Sequence, residues 1–89
     1  MKPAEPVEGF DLLQRWAEGY GHGAQAYIAD KGSISRGLVS HWFLRRARPC
    51  SVHRLFVEAI TGVPAEAWDT EYERHYRDLA KKTERKLHP

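Results

Sequence analysis

Gln25-Ala26-Tyr27-Ile28-Ala29-Asp30-Lys31-Gly32-Ser33-Ile34-Ser35-Arg36-Gly37-Leu38-Val39-Ser40-His41-Trp42 is the stretch on which the reading of this chain turns. Its apolar residues recur at three- and four-residue spacing on either side of a break, which predicts two short helices joined by a tight turn. Ala29 puts a small side chain where the first helix must let the second come close. Gly32 and Ser33 supply a permissive turn. Ile34, Leu38, Val39 and Trp42 then share the inner face of the second helix, with Trp42 and Val39 read as core. Ser35, Arg36, Gly37, Ser40, His41 and Leu44 are left facing outward.

Working outward from this pair, Phe10, Leu12, Leu13, Trp16 and Ala17 predict an amphipathic helix over residues 7–19. Three glycines in Gly19-Tyr20-Gly21-His22-Gly23 end it. A second helix covers residues 24–31. Ser33 or Ser35 caps the third, which is expected to run to about Arg45 and to end before Arg48-Pro49, since the residue before proline is pushed out of helical geometry. Ser51 is expected to cap a fourth helix through Ile60, with Val52, Leu55, Phe56, Ala59 and Ile60 as its apolar face, stopped at Thr61-Gly62. A turn of helix over residues 65–68 follows. Thr70-Glu71-Tyr72-Glu73 has the form of a capping box and opens a last helix to about Lys86, with Trp68, Tyr72, Tyr76 and Leu79 striped along one side. No segment alternates with period two and no repeat occurs. The expected fold is all-α: a flexible lead over residues 1–6, a small five-helix domain over residues 7–68, and an extended C-terminal helix over residues 69–89.

Eighty-nine residues, 42% of them hydrophobic, suffice for one core. No run approaches the roughly 18 apolar residues of a membrane span, and the first residues lack the apolar stretch of a signal peptide, so a cytoplasmic protein is expected. The lone Cys50 has no partner for an internal disulfide. His22, His41, His53, His75 and His88 form no metal-ligand pattern, Cys50 and His53 supply at most half of a zinc site, and Gly19, Gly21 and Gly23 are not followed by Gly-Lys-Ser/Thr. Neither catalysis, a metal, a cofactor nor a small-molecule ligand is expected.

The net charge of +2 is unevenly spread. Residues 31–57 contain no Asp or Glu, yet carry Lys31, Arg36, Arg45, Arg46, Arg48 and Arg54, with His41 and His53. Acids gather instead toward the two ends, from Glu5 to Glu18 and from Glu58 to Asp78. This asymmetry overlaps the predicted helix pair and has the form of a footprint for a polyanion.

A helix that anchors one face and turns small and polar groups outward, next to such a footprint, is the layout of a DNA-reading helix-turn-helix. Over residues 25–62 the chain resembles the lambda-repressor and Cro-like family. The matching residues are Gln25 and Ala29, Ile34-Ser35, Val39-Ser40-His41-Trp42, Arg48-Pro49, and Val57-Glu58-Ala59-Ile60-Thr61-Gly62. Two departures stand out. Ser33 occupies the place of the family's turn glycine, with Gly32 one residue early, and the family's glycine after the tryptophan is absent from Trp42-Phe43-Leu44-Arg45. The resemblance implies a phage or bacterial repressor that occupies operator DNA as a homodimer. It implies that Ser35, Arg36, Gly37, Ser40 and His41 face the major groove, Arg36 being the base reader whose fork matches guanine. Gln25 would meet a phosphate at a helix N-terminus, and Lys31, Arg45, Arg46, Arg48 and Arg54 would serve as sequence-blind phosphate contacts. Gly37, unfavourable inside a helix, is explained by close approach of DNA or of a neighbouring helix. Glu58 is expected to pair with an arginine. Tyr72, Tyr76 and Leu79 are the candidate dimer contacts. The competing reading is a protein-binding helical module on the same scaffold, without DNA reading.

Overall fold

The computed structural model of the protein describes residues 4–87, with side chains as far as Glu84. Among these residues the fold is all-α. Helices α1 (Glu8–Tyr20), α2 (Ala24–Gly32), α3 (Arg36–Phe43) and α4 (Ser51–Thr61) are followed by a 3₁₀ turn (Ala65–Trp68) and by α5 (Glu71–Leu87). Helix α1 packs on α2, α3 and the 3₁₀ turn, and α4 closes over α2 and that same turn. The core is built on two tryptophans. Trp68 is fully buried with Phe10 edge-on to it at 5.4 Å, and Trp42 lies with Leu13, Ile28, Val39 and Val57. Gly9 makes the first of these possible: a Cβ there would lie 2.6 Å from Cε3 of the Trp68 indole.

The turn between α2 and α3 explains the first departure from the family pattern. Ser33 takes the left-handed conformation (φ 52°) while the amides of Ser33 and Ile34 donate back to the carbonyls of Asp30 and Ala29. This is a Schellman motif with serine where glycine is usual. Gly32 remains helical for a different reason, because a Cβ would stand 2.7 Å from the Phe56 ring. Since an L-residue in the left-handed region is disfavoured by roughly 1 kcal/mol, Ser33→Gly is expected to raise the unfolding free energy by about 0.5–1 kcal/mol. Urea titration of the two proteins checks this, and an unchanged or lower midpoint would argue against strain at Ser33.

The end of α3 accounts for the second departure. The helix is two residues shorter than expected, and Arg45 sits left-handed (φ 59°) with Arg46 and Arg45 amides donating to His41 and Trp42 carbonyls. Arginine is held in a glycine conformation by its tertiary contacts. Its guanidinium lies 2.7 Å from Asp11 and 5.6 Å from the Phe10 ring, and its carbonyl accepts from Ala4. That last bond ties down the described end of the lead, residues 1–3 of which lie outside the described residues.

Helix α4 is rotated relative to the sequence reading. Val57 is its one buried residue, Phe56 and Ile60 are half-buried, and Val52 and Leu55 are 71% and 63% exposed. The most apolar arc lost to neighbours already in place: His53 lies against Trp42 at 5.7 Å and Phe56 against Gly32. Ser51 does not cap this helix. Cys50 holds the cap position, with no side-chain bond.

Helix α5 begins as expected. The Thr70 hydroxyl accepts from the Glu73 amide and the Glu73 carboxylate accepts from the Thr70 amide, at 3.2 and 2.9 Å. That amide, with the Arg48 guanidinium, holds the Glu73 carboxyl down at about 2. Beyond Arg77, which still reaches back to Asp69, the helix leaves the domain. Every described side chain from Arg74 to Glu84 is exposed. The radius of gyration is 14.8 Å, against about 12 Å for a compact chain of this length.

Candidate nucleic-acid interface

Helix α3 is short and firmly placed. The Ser35 hydroxyl accepts from the Leu38 amide at 3.1 Å, so the serine read as groove-facing also caps the helix. Val39 and Trp42 anchor the inner side at 0% and 1% exposure. On the outer side Arg36 and Gly37 are exposed, with Ser40 and His41 half-buried one turn on and Leu44 exposed beyond. Spacing of four residues stacks Arg36 over Ser40 and Gly37 over His41, giving two short columns of polar groups. Nothing lies within 4 Å of a Cβ built on Gly37. A neighbouring helix is therefore not what this glycine accommodates.

The N-terminus of α2 borders the same surface. Gly23 is left-handed and no side chain caps the helix, leaving the first backbone N–H groups beside exposed Gln25. A shallow depression of about 600 Å³ opens there, lined by Gln14, Glu18, Gln25, Phe43 and Leu44 among others. Unpaired helix N–H groups attract an anion. Glu18, bonded to Gln14, opposes that attraction from the rim.

The cations divide into two sets. Arg45 pairs with Asp11. Arg48 donates to the Trp68 carbonyl at 2.9 Å and pairs with Glu73. Arg54 donates to the Pro49 carbonyl at 2.8 Å and to Asp69 at 3.2 Å, its side chain only 11% exposed. These three, read from sequence as phosphate contacts, are held in the fold by acids that lie far away in the chain. Lys31, Arg36 and Arg46 have no ion pair among the described residues, and all three are exposed. Lys31 stands over the Tyr27 ring at 5.8 Å. The positive footprint is thus narrower than the charge map suggests: Lys31 on α2, Arg36 at the start of α3, and Arg46 just past its end.

Glu58 accepts from the Ala65 amide at 3.2 Å and forms no ion pair among the described residues, which corrects the arginine partner expected for it. The acid that does hold arginines is Asp69. It is 3% exposed, bonded to Arg54 and clamped by Arg77, whose Nη2 donates to Oδ1 at 2.9 Å while Nε lies 2.7 Å from Oδ2. No sequence signal marked it, because one acid among the seven from Glu58 to Glu84 looks like surface charge until the fold buries it. Among the described residues no cluster of His, Cys, Asp and Glu could hold a metal ion, and no helix is long and apolar enough to cross a membrane. Compared with family models, curated proteins and solved structures, the chain matches none.

Proposed function

We propose that this chain is a sequence-specific double-stranded DNA-binding regulator that places α3 in the major groove, in the manner implied by its resemblance to lambda-repressor and Cro-like proteins. The observation that carries the reading is Gly37. It lies in the first turn of an eight-residue helix, where glycine is less favourable than alanine by up to about 0.5–1 kcal/mol, it is exposed, and nothing in the fold lies within 4 Å of where a Cβ would stand. A ligand that must approach the backbone accounts for it. Arg36 and Ser40 on one side and His41 on the other offer donors for base edges, and Lys31, Arg46 and the α2 N-terminus with Gln25 offer phosphate contacts. One such helix reads few base pairs, so the reading entails two copies on a palindromic operator, repression by occupancy, and a cytoplasmic place of work in a bacterial or phage-infected cell.

Selection from random duplex DNA with the purified protein at low salt tests this. Enrichment of a palindrome with half-sites about one helical turn apart is expected. Arg36→Ala should then relax preference at one position of each half-site and weaken binding by about 1–3 kcal/mol. An equal loss on every sequence would reduce Arg36 to a phosphate contact. The protein-binding reading is favoured by a different observation, the exposed Val52 and Leu55 on α4. Absence of DNA binding at low salt would favour it.

A further inference from the structure

We infer that α5 is a pairing surface for a second copy of this chain, with the two helices running antiparallel. Tyr72, Tyr76 and Leu79 are 73%, 50% and 47% exposed, and their spacing of four then three residues sets them on one stripe. Thr83 continues it, its hydroxyl turned back to donate to the Leu79 carbonyl, which removes a polar demand from the stripe. The two tyrosine rings already lie together, centroids 4.8 Å apart. The side of α5 that meets its own domain is a different one. Glu73 and Arg77 reach Arg48 and Asp69 there, and they fix the direction in which the helix leaves.

Charge selects the occupant and the orientation. Residues 71–78 carry three acids and two arginines, whereas residues 81–87 carry four bases and one acid. Side by side in parallel, two such helices would set the basic halves against each other. In the antiparallel pair each basic half lies along the partner's more acidic half, and the helix dipoles oppose. A twofold axis relates the two copies, so each stripe meets its own counterpart. The two tyrosines offer on the order of 250 Å² at their observed exposure. Even with Leu79 and the flanking side-chain stems this stays at or below the small end of specific interfaces, so a weak, concentration-dependent association is expected.

This inference does not depend on α3 reading DNA, and its test contains no DNA. Sedimentation equilibrium of the full chain across micromolar concentrations should show a monomer–dimer equilibrium. Tyr76→Glu should weaken it by roughly thirtyfold or more while leaving unchanged the circular dichroism melt of the monomer, recorded well below the dissociation constant. A monomer throughout, or a dimer indifferent to Tyr76→Glu, would overturn the pairing surface. For orientation, Cys50→Ser carrying Glu71→Cys is mixed with Cys50→Ser carrying Lys82→Cys and oxidised. Excess of the mixed disulfide supports the antiparallel pair, and excess of the two like disulfides overturns it. DNA selection can fail while these outcomes hold, and the reverse.

Discussion

Asp69→Ala is expected to lower the unfolding free energy by about 3–5 kcal/mol, the largest effect of any single exposed or charged position in the chain. The carboxylate is buried and holds two guanidinium groups on different helices, Arg54 of α4 and Arg77 of α5. Removing it leaves Arg54, whose side chain is 11% exposed, with a buried charge and only the Pro49 carbonyl as a partner. Arg77 is 41% exposed and finds water, so Arg77→Ala should fall in the range of a surface pair, below about 1 kcal/mol. The asymmetry between these two substitutions is the informative result. Urea unfolding of Asp69→Ala, Asp69→Asn and Arg77→Ala measures it, and equal small losses would show that Asp69 is solvated in solution. A domain of 89 residues has on the order of 4–13 kcal/mol in total. Asp69→Asn, which keeps the shape and some hydrogen bonding, provides a folded variant should alanine prove too severe.

The same cluster shows where sequence reading stops. Periodicity located the helices because burial of Phe10, Leu13, Val39 and Trp42 repeats with the helical turn, and the Thr70–Glu73 box was legible because its bonds are local. What failed was non-local. Arg45, Arg48 and Arg54 are separated in sequence by 34, 25 and 15 residues from Asp11, Glu73 and Asp69, so a charge map along the chain counts them as available cations. Helix α4 failed likewise, since its rotation is decided by Trp42 and Gly32, which belong to other helices. The unusual turns were visible only as missing glycines. Their outcome, Ser33 and Arg45 in left-handed conformations, depends on bonds that close each motif and, for Arg45, on Asp11 and Phe10.

Gly37 separates stability from recognition more sharply than any other residue. Because a Cβ there meets nothing within 4 Å and the residue lies in the first turn of α3, Gly37→Ala and Gly37→Leu should both stabilise the free protein, by up to about 0.5–1 kcal/mol, through helix propensity. If α3 lies in a major groove with Arg36 and Ser40 against the bases, the same added atoms fall between backbone and DNA. Binding should then fall in order of size, roughly tenfold for alanine and a hundredfold or more for leucine, about 1.4 and 3 kcal/mol at constant salt. The salt slope should stay as it was, since Lys31, Arg46 and the α2 N-terminus keep their phosphates. Fluorescence anisotropy with a selected duplex, alongside thermal melts, measures both quantities on the same preparations. Opposite signs are the signature of an intermolecular reason for this glycine. A leucine variant that is stabilised and binds DNA as well as the parent would place the groove-facing surface elsewhere on the domain.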